Sequence, residues 1–299
     1  MKKIFRFVLM ATLVIQIFPV FAEDNSSVKP LEVGVVPYIS ARVLVSSYEP
    51  MRLYLEHVLG RPVKIYTATG FKQFFLNAQR GDYDLIISAA HFARILQKEH
   101  QFTPLVRYSA GGRALVMTAL NSPLNTLQDL QGRVIAVPDK LSLATIVCLA
   151  YLRENGLQPD IDFQLLEVPS FASAILAVQK GDAMAAITAQ GVLTQMPQVL
   201  RESVRTIVVT GEFVPLIFLS NPRIGKKYAD LLNKVLLKFG NETNEGKQFL
   251  TSTGFGTIIP ATSKDMNSLD RYVAETKRLL ADKTNWMLKG AHPMKAVPL

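Results

Sequence analysis

The sequence is poor in cysteine and lacks clustered histidines and glycine-rich catalytic motifs. Its single cysteine, Cys148, lies in an apolar run, so we expect a buried, unreactive thiol and no disulfide within the sequence. The four histidines show no spacing typical of a zinc site. A nucleophile elbow, a phosphate-binding loop and a dinucleotide-binding glycine motif are also missing. These absences predict a protein that is not an enzyme and that needs no metal and no cofactor.

Clustered charge is missing as well. Lysine and arginine number 33 against 24 aspartate and glutamate, which gives a formal net charge of +9. The positive residues are scattered singly, so we expect no nucleic-acid partner. The positive balance is compatible with steering a small anion towards the protein, and equally with a role in solubility alone.

Long apolar runs are confined to the N-terminus, where the pattern is typical of export. Lys2 and Lys3 precede an apolar stretch over 8–17, which is followed by the small residue Ala22. This stretch is shorter than the ~20 residues of a membrane-spanning helix. We therefore predict a secretory signal peptide over 1–22, cleaved after Ala22, and a periplasmic mature protein; an uncleaved N-terminal anchor is the alternative.

Alternating strands and helices fill the first part of the mature sequence. The pattern predicts buried strands at Leu31–Val36, Pro62–Tyr66 and Tyr83–Ser88, separated by helices that begin near Ser40 and Phe71. Strands and helices of these lengths in this order form a parallel sheet covered by helices.

The same pattern then recurs about one hundred residues later. Residues 77–89 align with residues 177–189, and both copies contain a helix, a Gly-Asp turn and a buried strand. The spacing is too long for a solenoid repeat and predicts two similar Rossmann-like α/β lobes with mixed, mostly parallel sheets. Arg113–Leu120 and Ile207–Thr210 are predicted as the two hinge strands that join the lobes. The predicted boundaries are 30–115 and 212–285 for lobe 1, 116–211 for lobe 2, and 286–299 for a C-terminal tail.

Small hydroxylated residues recur where strands end and helices begin, which is the edge at which open parallel sheets bind ligands. Helix N-termini and hydroxyl groups can hold an oxyanion there, although serine and threonine are also common helix caps. Arg42 and Arg113 are further cationic candidates, and His91 is either a proton switch or a structural residue. The candidate ligand contacts are Tyr38, Ser40, Thr69, Ser88, His91, Ser142, Thr145, Ser170 and Thr188.

Several of these segments resemble the phosphate-, phosphite- and phosphonate-binding periplasmic proteins of ABC importers, over about residues 30 to 280. The segments that carry the resemblance are Pro37 to Ser40, Tyr48 to Leu55, Leu59 to Val63, Gly81 to Leu85, Leu127 to Ala136 and Ala177 to Asp182. The sequence departs from the family at Ala89, Ala90 and residues 139–145, which leaves a different small organic solute open.

The resemblance implies the type II periplasmic binding fold, in which a small anionic solute is clamped between two lobes. It places ligand contacts at Tyr38–Ser40, Ser88–His91, Ser142–Thr145 and Thr188. It also implies a monomer that delivers its solute to the membrane permease of an ABC transporter. A sensing protein that presents its solute to a membrane receptor is the alternative.

Overall fold

The computed structural model describes residues 28–282 and 297–298. The predicted signal peptide and all but two residues of the predicted tail lie outside the described residues. Across residues 28–282 we find no helix with the length and apolar character needed to cross a membrane. The strands are β1 Leu31–Val35, β2 Val63–Thr67, β3 Leu85–Ala89, β4 Thr103–Tyr108, β5 Ala114–Ala119, β6 Val134–Val137, β7 Gln164–Glu167, β8 Ala185–Ala189, β9 Val204–Val209, β10 Leu216–Ser220, β11 Ile258–Pro260 and β12 Val297–Pro298.

The helices lie between and after these strands, as the sequence pattern predicts. They are α1 Ala41–Leu59, α2 Phe71–Gln79, α3 Ala90–His100, α4 Leu143–Glu154, α5 Phe171–Lys180, α6 Gln190–Leu193, α7 Gln198–Glu202, α8 Gly225–Glu242, α9 Asn244–Thr253, α10 Ser263–Asn267 and α11 Asp270–Ala281. Two single 3₁₀ turns lie at Gln128–Leu130 and Pro222–Ile224.

The strands form two separate mixed sheets. A seven-stranded sheet has the order β11-β4-β10-β3-β1-β2-β12, and a five-stranded sheet has the order β7-β6-β8-β5-β9. In the first, β2, β1 and β3 run parallel and β10 is antiparallel to β3. In the second, β7, β6 and β8 run parallel and β5 is antiparallel to β8. The predicted fold of two α/β lobes is confirmed; we call the part on the seven-stranded sheet lobe 1 and the other lobe 2.

Within residues 28–282 the chain crosses between the lobes twice. It leaves lobe 1 through residues 109–113 and returns through residues 210–215. The two crossovers run side by side, because Gly112 and Phe213 exchange backbone hydrogen bonds of 2.8 and 2.9 Å. Most of the predicted hinge segments belong to β5 and β9 in the lobe 2 sheet, and the crossovers lie at one end of each. An apolar strand pattern identifies a strand but does not show where it leaves its sheet, so the exact lobe boundaries stay a prediction.

The repeat is present in three dimensions. The strands β3 and β8 begin 100 positions apart, and so do the helices α2 and α5 that precede them. Gly81 and Gly181 end the two helical turns with φ angles of 79° and 80°, a left-handed conformation that favours glycine. The two lobes therefore fold locally in the same way.

The centre of lobe 1 is fully covered by helices. All five residues of β3 and all five of β10 are buried. Strands that are covered on both faces read as continuous apolar runs, which is how both segments read in the sequence. The packed strands give the strand ends a rigid base.

Candidate functional site

A cavity of about 80 Å³ lies between the two lobes. Its wall includes Val36 after β1 and Ala89 at the end of β3 in lobe 1, and Leu143 and Ala189 in lobe 2. The cavity therefore lies at the carboxyl ends of parallel strands, where ligands bind in open α/β sheets. One water molecule needs a cavity of about 10–15 Å³, so this cavity has room for a compact solute of a few heavy atoms.

Four of the predicted contact residues carry a buried polar atom without a hydrogen-bond partner in the described structure. These atoms are Tyr38 Oη, His91 Nδ1, Thr145 Oγ1 and Thr188 Oγ1. An unpaired buried polar group costs about 1–3 kcal/mol, and folded proteins rarely leave several together. Their hydrogen-bonding capacity is available to a solute.

These four residues are grouped around the cavity. Tyr38 lines it directly, Thr145 and Thr188 are immediate sequence neighbours of residues that line it, and His91 lies two positions after Ala89, which also lines it. Thr145 follows Ala144 on the first turn of α4, and Thr188 precedes Ala189 at the end of β8. His91 lies on the first turn of α3.

The N-terminus of α4 adds backbone donors to the same wall. Ser142 is the N-cap residue, is almost fully buried and lines the cavity, yet its side chain does not cap the helix. The first N–H groups of a helix have no partner within the helix, and its N-terminus carries a partial positive charge. Backbone N–H groups and hydroxyls of this kind stabilise an oxyanion without a fixed positive charge.

Tyr38 belongs to a buried group of three tyrosines. The Tyr48 and Tyr108 hydroxyls lie 3.2 Å apart, and Tyr48 is also next to Tyr38. Burial raises the pKa of all three hydroxyls well above the ordinary value for tyrosine. Tyr38 therefore stays a neutral phenol that can donate a hydrogen bond into the cavity.

His91 connects the lobes beside the cavity. Its Nε2 lies 3.0 Å from the carbonyl oxygen of Leu141 in lobe 2. A carbonyl oxygen only accepts, so Nε2 carries the proton and donates, and Nδ1 of the neutral ring is an acceptor. Burial lowers the pKa of His91 to about 3. A change of charge near neutral pH, one of the two roles predicted for His91, is therefore not expected.

Three predicted residues lie away from the cavity wall. Ser40, Thr69 and Arg42 are exposed, and none of them lines the cavity. Ser40 is the N-cap of α1, the position in lobe 1 that corresponds to Ser142 in lobe 2. The structure therefore does not bring these three together with the buried candidates.

Two further serines make local hydrogen bonds. The Ser170 hydroxyl accepts a hydrogen bond of 3.1 Å from the N–H of Ser173 and so caps α5, which is the alternative role predicted for it. Ser88 Oγ donates to the carbonyl oxygen of Ala89 at 3.1 Å. Both residues are placed near the strand ends, but these hydroxyl interactions are internal to the protein.

Arg113 lies on the first crossover and pairs with the carboxylate of Glu212 on the second at 2.8 Å. Both side chains are exposed, and neither lines the cavity. No charged side chain in residues 28–282 lines it, and the described chain contains no group of three or more histidine, cysteine or acidic residues that could hold a metal ion.

The sequence interpretation missed the aromatic part of the wall. Phe71, Phe171, Phe213 and Phe255 all line the cavity. Phe71 and Phe171 are the first residues of α2 and α5, 100 positions apart. The internal repeat could have identified this pair, because equivalent positions of two facing lobes approach the same cleft.

The family model described as "ABC transporter, phosphonate, periplasmic substrate-binding protein" matches residues 33–266. The match covers both lobes, both crossovers and the whole cavity wall. No curated protein sequence matches the chain significantly.

Solved structures show the same fold. A binding protein component of an ABC phosphonate transporter from Pseudomonas aeruginosa is 15% identical with a TM-score of 0.74, over 85% of this chain and 89% of that chain. PhnD1 from Prochlorococcus marinus, solved with methylphosphonate, is 17% identical with a TM-score of 0.75, over 84% and 99%. The aliphatic sulphonate binding protein SsuA from Escherichia coli is 17% identical with a TM-score of 0.60, over 88% and 97%. The predicted periplasmic binding fold is confirmed.

Proposed function

This chain belongs to the family of periplasmic substrate-binding proteins of phosphonate ABC transporters, and on that premise we propose that its interlobe cavity binds a small tetrahedral oxyanion of the phosphonate type. The observation that carries the proposal is the set of buried, unpartnered hydroxyl groups of Tyr38, Thr145 and Thr188 around one cavity. All three are among the ligand contacts that the sequence predicts.

The donors suit a tetrahedral anion. The first turn of α4 offers backbone N–H groups, and Tyr38, Ser142, Thr145 and Thr188 offer hydroxyls from both lobes. A hydrogen bond to a charged group contributes about 1.5–3 kcal/mol, so several such bonds are enough to hold an anion without lysine or arginine. Binding rests on directed donors, which also gives geometric specificity.

Binding to both lobes couples the solute to lobe closure. The crossovers at 109–113 and 210–215 are short, and the His91–Leu141 hydrogen bond joins the lobes beside the cavity. A solute that contacts both lobes favours the arrangement in which they meet. We therefore expect ligand-dependent closure, which a fall in the radius of gyration on binding would report.

The family consists of periplasmic substrate-binding components, which supports a binding role in the periplasm without catalysis. We propose that it acts as a monomer, that cleavage after Ala22 releases it, and that the closed form delivers its solute to the membrane permease of an ABC importer.

Calorimetric titration of the chain from Glu23 onwards tests the proposal directly. We expect methylphosphonate to bind without being converted, and a ligand at 100 times its Kd to add about 2.7 kcal/mol of apparent stability. Phosphite, phosphate, sulfate and small carboxylates define the oxyanion preference. A response to a neutral or cationic solute, with none to any oxyanion, would overturn the proposal.

A further inference from the structure

Much of the cavity wall is apolar and is not needed to bind the oxyanion. Phe71, Phe171, Phe213 and Phe255 contribute aromatic rings to its wall, and Val192 adds an aliphatic side chain. These residues come from both lobes, from the second crossover and from the segment after α9. The apolar surface therefore surrounds the cavity and is not a patch on one lobe.

The apolar wall is held firmly by the core. The Phe255 ring stacks on Tyr108 at a centroid distance of 4.3 Å and meets the edge of Tyr38 at 5.9 Å. Phe71 and Phe171 are buried at the starts of their helices. Rings packed in this way cannot swing aside at low cost, because packed interiors leave little free space.

Carboxylates approach the cavity but do not reach its wall. Glu212 lies close to Gly111 at the rim and pairs with Arg113 at 2.8 Å. Asp139 lies near Gly70 and accepts a hydrogen bond of 2.8 Å from the N–H of Leu141. Neither carboxylate is among the residues that line the cavity.

From this lining we infer that the natural ligand class is short-chain alkylphosphonates, with an uncharged hydrocarbon substituent against the phenylalanine wall. The inference rests on the proposed oxyanion function and adds the identity of the fourth substituent. An ammonium group in that position would lose its hydration without gaining a carboxylate from the wall. A hydrocarbon group gains about fourfold in affinity for each buried methylene.

The matched pair n-propylphosphonate and 2-aminoethylphosphonate tests this inference on the unmodified chain. The two ligands have the same chain length and differ by a methyl group in place of an ammonium group. We expect calorimetry to show at least tenfold tighter binding of n-propylphosphonate, and tighter binding of methylphosphonate than of inorganic phosphate. Equal or tighter binding of 2-aminoethylphosphonate would overturn the inference.

The two proposals fail in different ways. If none of these oxyanions binds, the proposed function is wrong. If phosphate and 2-aminoethylphosphonate bind as tightly as the alkylphosphonates, the oxyanion function stands and the inference about the substituent is wrong.

A charge placed in the apolar wall gives a second test. Val192→Glu should move the ratio of the two affinities at least tenfold towards 2-aminoethylphosphonate, because the new carboxylate pairs with the ammonium group. Val192→Gln, which has nearly the same shape and no charge, is the control and should leave the ratio close to that of the unmodified chain. An equal ratio in both folded variants would contradict the assignment of this wall to the substituent.

Discussion

The two lobes share a plan and differ in what they add to it. Three sets of features coincide after a shift of 100 positions: the helices α2 and α5, the glycine turns after them, and the strands β3 and β8. Both members of two equivalent pairs line the cavity, namely Phe71 with Phe171 and Ala89 with Ala189. The repeat therefore determines where each lobe meets the solute.

The residues that differ between the lobes determine the chemistry of the cavity. His91 lies two positions after Ala89 in lobe 1 and donates to Leu141, whereas Gly191 occupies the equivalent position in lobe 2 and contributes only backbone to the wall. One lobe supplies a side chain that reaches across the cleft, and the other supplies the space that admits a solute.

The same complementarity of size is found in the cores. In lobe 1, Gly34 pairs with Ile86 across the sheet and lies under the ring of Tyr83. In lobe 2, Ala136 occupies the equivalent register position, and Ala183 stands where lobe 1 has tyrosine. A large residue over glycine in one lobe is matched by two alanines in the other.

Gly34→Ala should produce the largest loss of stability. It would place alanine, the residue of lobe 2 at this position, beneath the tyrosine that only lobe 1 has. A Cβ at Gly34 would lie 2.5 Å from the Tyr83 ring, closer than real Cβ contacts. Overpacking of this kind costs about 3 kcal/mol. Urea unfolding should show that loss of stability.

The double variant isolates the size effect. In a Tyr83→Ala background, the added methyl at Gly34 should be neutral or stabilising, because the ring that it would meet is gone. In lobe 2, Ala136→Gly should cost no more than about 1 kcal/mol. A tolerated Gly34→Ala in the original background would refute the comparison of the two cores.

His91→Gln should make the stability of the folded protein less sensitive to acid. Lobe 1 has this titratable side chain, whereas lobe 2 has Gly191 at the equivalent position. Burial lowers the pKa of His91 to about 3, below its value in the unfolded chain. The unfolded state therefore takes up a proton first as pH falls below about 6.5, and stability is lost progressively between about 6.5 and 3. The loss at pH 5 is roughly 2 kcal/mol.

Thermal unfolding across pH 7 to 5 measures this effect as a difference between variants. Glutamine keeps an N–H donor for Leu141 but cannot titrate, so His91→Gln should lose less stability on acidification than the unmodified chain. His57 is exposed, and His57→Gln is the control. Parallel curves for all three proteins would show that His91 is not held neutral by burial.

The fold was largely predictable because its signals are local. Buried strands, the Gly81 and Gly181 turns and the 100-residue repeat are all visible as short patterns. The predicted hinge segments mostly coincide with β5 and β9, and the lobe boundaries stay a prediction, because a strand pattern does not record where a strand changes sheet. The backbone hydrogen bonds between Gly112 and Phe213 join residues about one hundred positions apart, so no local pattern predicts them.

The site was less predictable because one residue type serves two purposes. Ser142 and Ser170 both precede helices, yet only Ser170 caps its helix. The local sequence does not show which of the two hydroxyls bonds within its own helix turn. Phe171 and Phe255 were missed because an apolar residue in a cavity wall has the same sequence pattern as one in the core.

The smallest effect expected is on affinity, at the equivalent positions Thr188 and Ser88. Thr188 Oγ1 is buried and has no hydrogen-bond partner in the described structure, whereas Ser88 Oγ donates to Ala89. Thr188→Val keeps the shape and removes the hydroxyl, so it should weaken methylphosphonate binding about tenfold, or about 1.4 kcal/mol. Calorimetric titration measures the change.

The equivalent substitution in lobe 1 is the control. Ser88→Ala removes a hydroxyl that bonds within its own strand, so it should change the affinity less than about twofold while lowering stability by about 1 kcal/mol. Thr188→Val should instead leave the unliganded protein as stable or more stable, because an unpaired buried hydroxyl is removed. A loss of stability in Ser88→Ala and a gain in Thr188→Val would therefore distinguish a structural hydroxyl from one that contacts the ligand. Equal losses of affinity in both variants would mean that the lobes contribute their strand ends symmetrically, contrary to the asymmetry seen at His91 and Gly191.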